Sequence, residues 1–168
     1  KNRIRLMRCV DIRAGVTYDF SYGDARIPQS VTMQAQAHAM YRLTGLHASS
    51  LKLRLWADQI GSVRVLSTSE GRVLKHMEYD SFGNLTHENR ADWHFPLGFA
   101  CGLSDAYTGF VRFGYRDYDP QVGRFTAKDP IGHTGGDNDL WDYCVDDPVS
   151  KIDSIGLQPQ KVNLGPYK

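Results

Sequence analysis

The sequence predicts a mainly β chain of short antiparallel strands. Three observations carry this: Gly, Tyr and Phe are abundant, at 16, 9 and 7 of 168 residues; turn residues recur at short intervals; and several runs alternate apolar with charged side chains. Such punctuation suits many short strands better than long helices.

Arg3-Ile4-Arg5-Leu6-Met7 has the two-residue period of a half-buried strand, and Val16 to Phe20 is a second candidate. Met33 to Met40 favours helix over strand by propensity, without a clean apolar stripe. Leu51, Leu53 and Leu55 then alternate with Lys52 and Arg54. A hairpin is expected from Gly61–Leu66 through the turn Ser69-Glu70-Gly71 to Val73–Tyr79. In Tyr79-Asp80-Ser81-Phe82-Gly83-Asn84 an aspartate able to bond its own downstream backbone precedes a glycine by three residues, so a reverse turn ends that strand. Phe110 to Tyr118 reads as one further strand, with Asp119-Pro120-Gln121-Val122-Gly123 turning the chain back through Arg124-Phe125-Thr126. Beyond Asp129 the breakers Gly132, Gly135, Gly136, Asn138 and Pro148 predict a compact, turn-rich cap.

The length suits one domain or a piece of a larger repetitive structure. With 20 Lys plus Arg against 19 Asp plus Glu, no net field draws the chain to nucleic acid or an anionic membrane. Cys9, Cys101 and Cys144 are odd in number and form no CxxC pair, so they read as reduced and mostly buried. No apolar run reaches the roughly 20 residues of a membrane helix and no signal-peptide pattern opens the chain. A start at Lys1 rather than Met suits a processed product or an excerpt of a longer chain.

Gln59-Ile60-Gly61-Ser62-Val63-Arg64, followed by Gly71 through Tyr79-Asp80-Ser81-Phe82-Gly83-Asn84, resembles the YD repeat shared by bacterial Rhs proteins, the C component of Tc toxins and teneurins. Downstream, Gly109 to Pro120, Val122-Gly123-Arg124-Phe125, Asp129-Pro130-Ile131-Gly132, Gly135-Gly136 and Asp153-Ser154-Ile155-Gly156-Leu157 are similar, in order and spacing, to the Rhs repeat-associated core. The resemblance divides the chain into degenerate repeat-like strands over 1–55, the core over 56–157, and the start of a variable C-terminal tail over 158–168.

The resemblance implies a β-sheet spiralling into a hollow shell that ends in a turn-rich plug and encloses a C-terminal cargo, usually a toxin. A closed spiral hides strand edges and holds its passenger away from the host. The implied partners are the rest of the shell, the cargo and delivery-machinery proteins; no nucleic acid or membrane span is implied for this segment, and no cofactor. The implied setting is bacterial, with secretion or cell-surface delivery following cytoplasmic synthesis. A chain of this length exposes sheet edges, or pairs them with another chain, unless its first half covers them.

Many relatives cut their own backbone after Asp-Pro-x-Gly-Leu, using two aspartates and an arginine. Carried over, these are Asp129, Asp153 and Arg116, with the cut between Leu157 and Gln158. Two adjacent carboxylates cannot both ionise cheaply, so one serves as acid and the other as base. Such a centre is a single-turnover aspartyl autoprotease with no activity on external substrates. This chain departs from the family pattern in carrying Ser154 where proline usually follows the second aspartate, and Asp147-Pro148 for the usual Asn-Pro; loss of that proline loosens a backbone constraint.

Plainer readings stand beside these. Asp129 and Asp153 are also suited to capping turn amides. Arg112 and Arg124 read as solvated or stacked strand residues. The acidic run Asp137-Asn138-Asp139-Leu140-Trp141-Asp142 lacks EF-hand spacing and reads as a solvated turn, so no metal site is assigned. The pairs His87/His94 and His38/His47 are too loosely spaced to be ligands. Asn84-Leu85-Thr86 fits a glycosylation pattern, yet Asn84 has a ready turn role. The alternative function is a non-cleaving structural YD-repeat module of a surface or secreted protein.

Overall fold

The computed structural model describes residues 5–23, 25–132 and 138–162. The chain divides into two compact units, one built from 1–56, 64–77 and 88–94 and the other from 57–63, 78–87 and 95–168, so it passes back and forth between them.

The strands β1 (Arg8–Asp11), β2 (Val16–Ser21), β3 (Ser30–Ala35), β4 (Ser50–Ala57), β5 (Val63–Thr68) and β6 (Val73–Tyr79) lie side by side in chain order, all of their residues but Ala57, Val63, Glu78 and Tyr79 belonging to the first unit. Strict alternation makes one face apolar: Val16, Tyr18 and Phe20 of β2, Val31 and Met33 of β3 and Leu53 of β4 are buried, while Lys52 and Arg54 are exposed. The helix α1 (Ala37–Thr44) adds Ala39, Met40 and Leu43 to the buried set and ends at Gly45, whose φ of 70° lets its amide cap the Tyr41 carbonyl at 2.7 Å. Trp93 is buried and donates from Nε1 to the Tyr18 hydroxyl at 2.8 Å, satisfying a polar atom inside the core. Lys75, 1% exposed, is held by Glu88 and by the Arg90 carbonyl at 2.7 Å.

In the second unit, β6 turns at Asp80 into β7 (Leu85–Glu88). Asp80 Oδ1 accepts the amides of Phe82 and Asn84, each at 2.9 Å, and Gly83 adopts φ 89°, which is the reverse turn the sequence predicts. A second sheet runs in the order β11 (Arg124–Phe125), β10 (Arg116–Asp119), β9 (Val111–Phe113), β8 (Leu103–Ser104). Its apolar face closes on Phe99, Phe113, Tyr118, Phe125 and Tyr143, with the Tyr118 and Tyr143 rings 4.4 Å apart. A short ladder of β12 (Lys151–Ile152) and β13 (Gln160–Lys161) ends the described chain.

Four expectations need correction. Leu6 and Met7 are not in a strand, which instead begins at Arg8; Arg3 and Ile4 lie outside the described residues. The run from Met33 to Met40 is divided: Met33–Ala35 complete β3 and the helix begins only at Ala37, because Met33 pairs with Leu51 and buries its side chain against the sheet. Tertiary pairing overrides helix propensity there. Phe110–Tyr118 is a hairpin rather than one strand, bent at Gly114 with φ 54°. Among the cysteines only Cys144 is buried, Cys9 and Cys101 being half-buried; all three are free thiols. The expected cap residues Gly135 and Gly136, and Asp137 of the acidic run, lie outside the described residues.

Candidate aspartate and arginine site

Alternation along β10 turns Arg116 and Tyr118 inward. Arg116 is therefore buried, 4% exposed, with its guanidinium carbon 3.6 Å from the centre of the Phe125 ring. Its polar edges are used on several sides: Nε donates to the Gly156 carbonyl at 2.6 Å and Nη1 to the Leu140 carbonyl at 3.2 Å. Nη2 lies 3.0 Å from Oδ2 of Asp129 and 3.4 Å from Oδ2 of Asp153. The three candidate residues, 13 and 24 positions apart along the chain, are brought onto one guanidinium nitrogen.

Two returns of the chain achieve this. The Phe125 amide bonds the Trp141 carbonyl and the Asp129 amide the Leu140 carbonyl, each at 2.8 Å, fixing Asp129 beside β10. Gly156 carries φ 69° and presses on the β9–β10 hairpin, with Tyr115 donating to the Ile155 carbonyl at 3.1 Å; this brings Asp153 to the same Nη2 of Arg116.

Each aspartate divides its two oxygens between tasks. Oδ1 of Asp129 caps the Ile131 amide at 2.9 Å, and Oδ1 of Asp153 accepts the amides of Leu157 at 3.0 Å and Gln158 at 3.2 Å. Turn capping and the arginine pairing therefore coexist on the same side chains. The Gln158 amide nitrogen belongs to the bond marked by the sequence as the expected cut. Arg116, by contrast, holds the Gly156 carbonyl, one residue upstream of Leu157.

Burial holds the Asp153 carboxyl above the ordinary carboxylate range, outweighing the Leu157 amide, Arg116 and the Gln158 amide, which pull it down. Burial likewise lowers Arg116 despite Asp129 and Asp153. Both shifts express one fact: these charges are costly to keep in a dry interior even when paired. A cavity of about 20 Å³ opens among Arg116, Asp129, Asp142, Cys144 and Asp153, enough for one water molecule. Its wall includes Cys144 and Val145, which with Asp146 form a left-handed run at φ 61°, 55° and 52°. For the β-branched Val145 this is a strained conformation. Burial pushes the Cys144 thiol up to about 12, so it is no nucleophile near neutral pH.

The other candidates do not join the site. Arg112 pairs with Asp117 and Arg124 with Asp139 at the surface, as solvated strand residues do. Asn84 donates to Asp80 and to the Pro120 carbonyl, its turn role. Sequence reasoning missed Leu140 and Gly156, which contribute only carbonyls, and Asp142; a backbone acceptor leaves no side-chain signature.

Residues 42–135 match the family model described as the Teneurin YD-shell, and the chain belongs to this YD-shell family. It is an Rhs/YD-repeat shell protein segment with the mainly antiparallel β fold read from the sequence. It is 26% identical over 167 residues to Teneurin-3 of Danio rerio, covering 89% of this chain and 6% of that protein. It is 31% identical over 146 residues to the double-stranded DNA deaminase toxin A of Burkholderia cenocepacia, covering 84% of this chain and 10% of the toxin. The chain thus spans a tenth or less of these relatives. Its fold is similar to the crystal structure of TcdB2-TccC3, with a TM-score of 0.71 at 21% identity over 84% of this chain and 7% of the other.

Proposed function

We propose that this chain is a shell and plug segment of an Rhs-type toxin, with repeat-like strands over 1–55, the core over 56–157 and a variable tail from 158, and that it cuts itself after Leu157. The observation that carries the reading is the contact of Asp153 with the Gln158 amide while Asp129 and Asp153 share Arg116.

In this mechanism a water in the cavity beside Asp129 attacks the Leu157 carbonyl carbon, and ionised Asp129 accepts its proton. Asp153, kept protonated more readily by its burial, gives its proton to the departing Gln158 nitrogen. The C–N bond breaks to leave a carboxylic acid on Leu157 and an amine on Gln158, and passage of the acid's proton to the amine gives a carboxylate and an ammonium. Arg116 positions both acids and, through Gly156, the chain approaching the cut. The partners under this reading are the rest of the shell, a C-terminal toxin cargo and the machinery that delivers it to the cell surface or beyond.

The test is the intact mass of the chain carrying a C-terminal extension, beside its Asp129→Asn and Asp153→Asn forms. Loss of the extension after Leu157 in the parent alone supports the proposal. A folded but uncut parent overturns it, and favours the second reading, a non-cleaving structural module; the likeness to teneurins and the substitution of Ser154 for proline are what speak for that alternative.

A further inference from the structure

The alternation that buries Leu53 turns Lys52, Arg54 and Trp56 of β4 to the opposite side of the sheet, where all three are exposed. Ser30 of β3 stands directly across from Arg54. With Gln29 and Ser69 these residues line an open groove of about 390 Å³, a volume within the rough 300–1,000 Å³ range of small-molecule sites. Trp56 donates from Nε1 to the Ser67 hydroxyl at 3.0 Å, and Ser67 is itself buried, yet Trp56 remains 55% exposed. Its ring is thus pinned by the polar edge, with apolar surface open to a flat ligand. Among the described residues neither Lys52 nor Arg54 enters an ion pair. Glu70 leaves them free as well: its carboxyl is held below the usual range first by the Thr68 hydroxyl, then by its own amide and Ser69, with Arg54 the last contributor.

We propose that this groove binds a nucleoside diphosphate, with the base on the Trp56 ring, the diphosphate on Arg54 and Lys52, and the sugar hydroxyls facing Ser30, Ser69 and Gln29. The order of the side chains carries the choice. Residues two apart on one strand face stand about 6.6 Å from each other, so ring, first cation and second cation follow in line. The matching ligand has a flat ring at one end, a hydroxyl-bearing spacer and two successive anions. A bare phosphate leaves Trp56 unused, and an uncharged aromatic leaves both cations unused. The Arg54 fork suits two phosphate oxygens, and Lys52 supplies a point charge for the terminal group. A net charge of +1 gives the chain no long-range pull on a polyanion, so the attraction is local to the groove. Stacking is blind to base identity, so adenine and guanine diphosphates bind alike. The groove lies wholly within the first unit and shares no residue with the aspartate and arginine site, so it stands apart from self-cleavage.

The test titrates the chain with ADP by calorimetry and follows the Trp56 indole N–H in proton–nitrogen spectra, that resonance being identified by its loss in Trp56→Phe. Saturable binding with a Kd on the order of 0.1 mM is expected, with the Trp56 resonance shifting along the same curve. Adenosine, which lacks the anions, and inorganic pyrophosphate, which lacks the ring, should each bind at least tenfold more weakly, roughly the worth of one base stacked on an aromatic ring. Lys52→Glu/Arg54→Glu should abolish binding, and Trp56→Ala should weaken it by roughly tenfold. Circular dichroism checks the fold of Trp56→Ala, which also loses the bond to Ser67; the charge reversals change exposed side chains only and keep the test decisive if Trp56→Ala unfolds. Absence of saturable binding at millimolar ADP, affinity untouched by the charge reversals, or pyrophosphate binding as tightly as ADP overturns the proposal.

Discussion

A Cβ placed on Gly114 would stand 2.6 Å from the carbonyl oxygen of Ile155, closer than side-chain carbon and backbone oxygen can approach. The hairpin bend and the loop that carries Asp153 are thus in direct backbone contact, and the opposite face of that contact is Gly156, whose own Cβ would meet the Phe113 carbonyl. The position of Asp153 depends on two missing side chains.

Gly114→Ala is expected to destabilise the chain by about 2–4 kcal/mol, because it combines a left-handed φ with a backbone clash. Gly109→Ala has the same backbone demand, at φ 74°, and open space around it, so about 1 kcal/mol is expected there. Urea denaturation of the two variants separates the clash from the φ penalty; equal losses would remove the argument.

Arg116→Lys keeps the charge but cannot serve Gly156, Leu140, Asp129 and Asp153 together. A loss of about 3 kcal/mol is expected, in the range for stripping partners from buried charge. Arg112→Lys at the exposed pair with Asp117 is the control and should stay within about 1 kcal/mol. Thermal melts of both variants decide it.

The raised Asp153 carboxyl fixes the sign of two pH effects. The folded chain holds this proton more tightly than the unfolded chain, so the associated stability is fully present below the unfolded value, about 4, and fades as pH rises through the higher folded value. Asp153→Asn should therefore gain on the parent between acid and neutral pH, as followed by denaturant midpoints. Self-cleavage, which needs that same proton, should slow over the same rise; a rate that increases with pH would assign the acid to another group.

In the first unit, Tyr18→Phe leaves the buried Trp93 indole without its acceptor. A cost of about 1–3 kcal/mol is expected, measurable by loss of protection in the β2 amides under hydrogen exchange.

Strand alternation and turn chemistry made much of this molecule legible in advance. Leu53 against Lys52 and Arg54, and Asp80 with Gly83, behave as their types demand because the controlling interactions lie within a few residues. Met33 was misjudged because its fate is set by Leu51 across the sheet, and Gly114 because a glycine inside an apolar run is equally compatible with a strand. The site divides along the same line. Asp129, Asp153 and Arg116 were marked by motif, whereas the left-handed turn at Cys144–Asp146 has no sequence signal, since valine, at φ 55° here, is among the residues least suited to that conformation. The carbonyls of Leu140 and Gly156 were invisible for the reason that any residue could supply them.

The alternation of the chain between its two units has a genetic corollary. Because stretches 57–63 and 78–87 belong to one unit and 64–77 and 88–94 to the other, no single crossover in that interval transplants a whole unit. A crossover at residue 95 divides a unit as well, because Tyr118 bonds the Phe82 carbonyl, Asn84 the Pro120 carbonyl and Ala100 the Ser62 hydroxyl. The interleaving makes the stretch from 57 onward inherit as a block, so that changes on either side of each crossing must be matched by partners on the other.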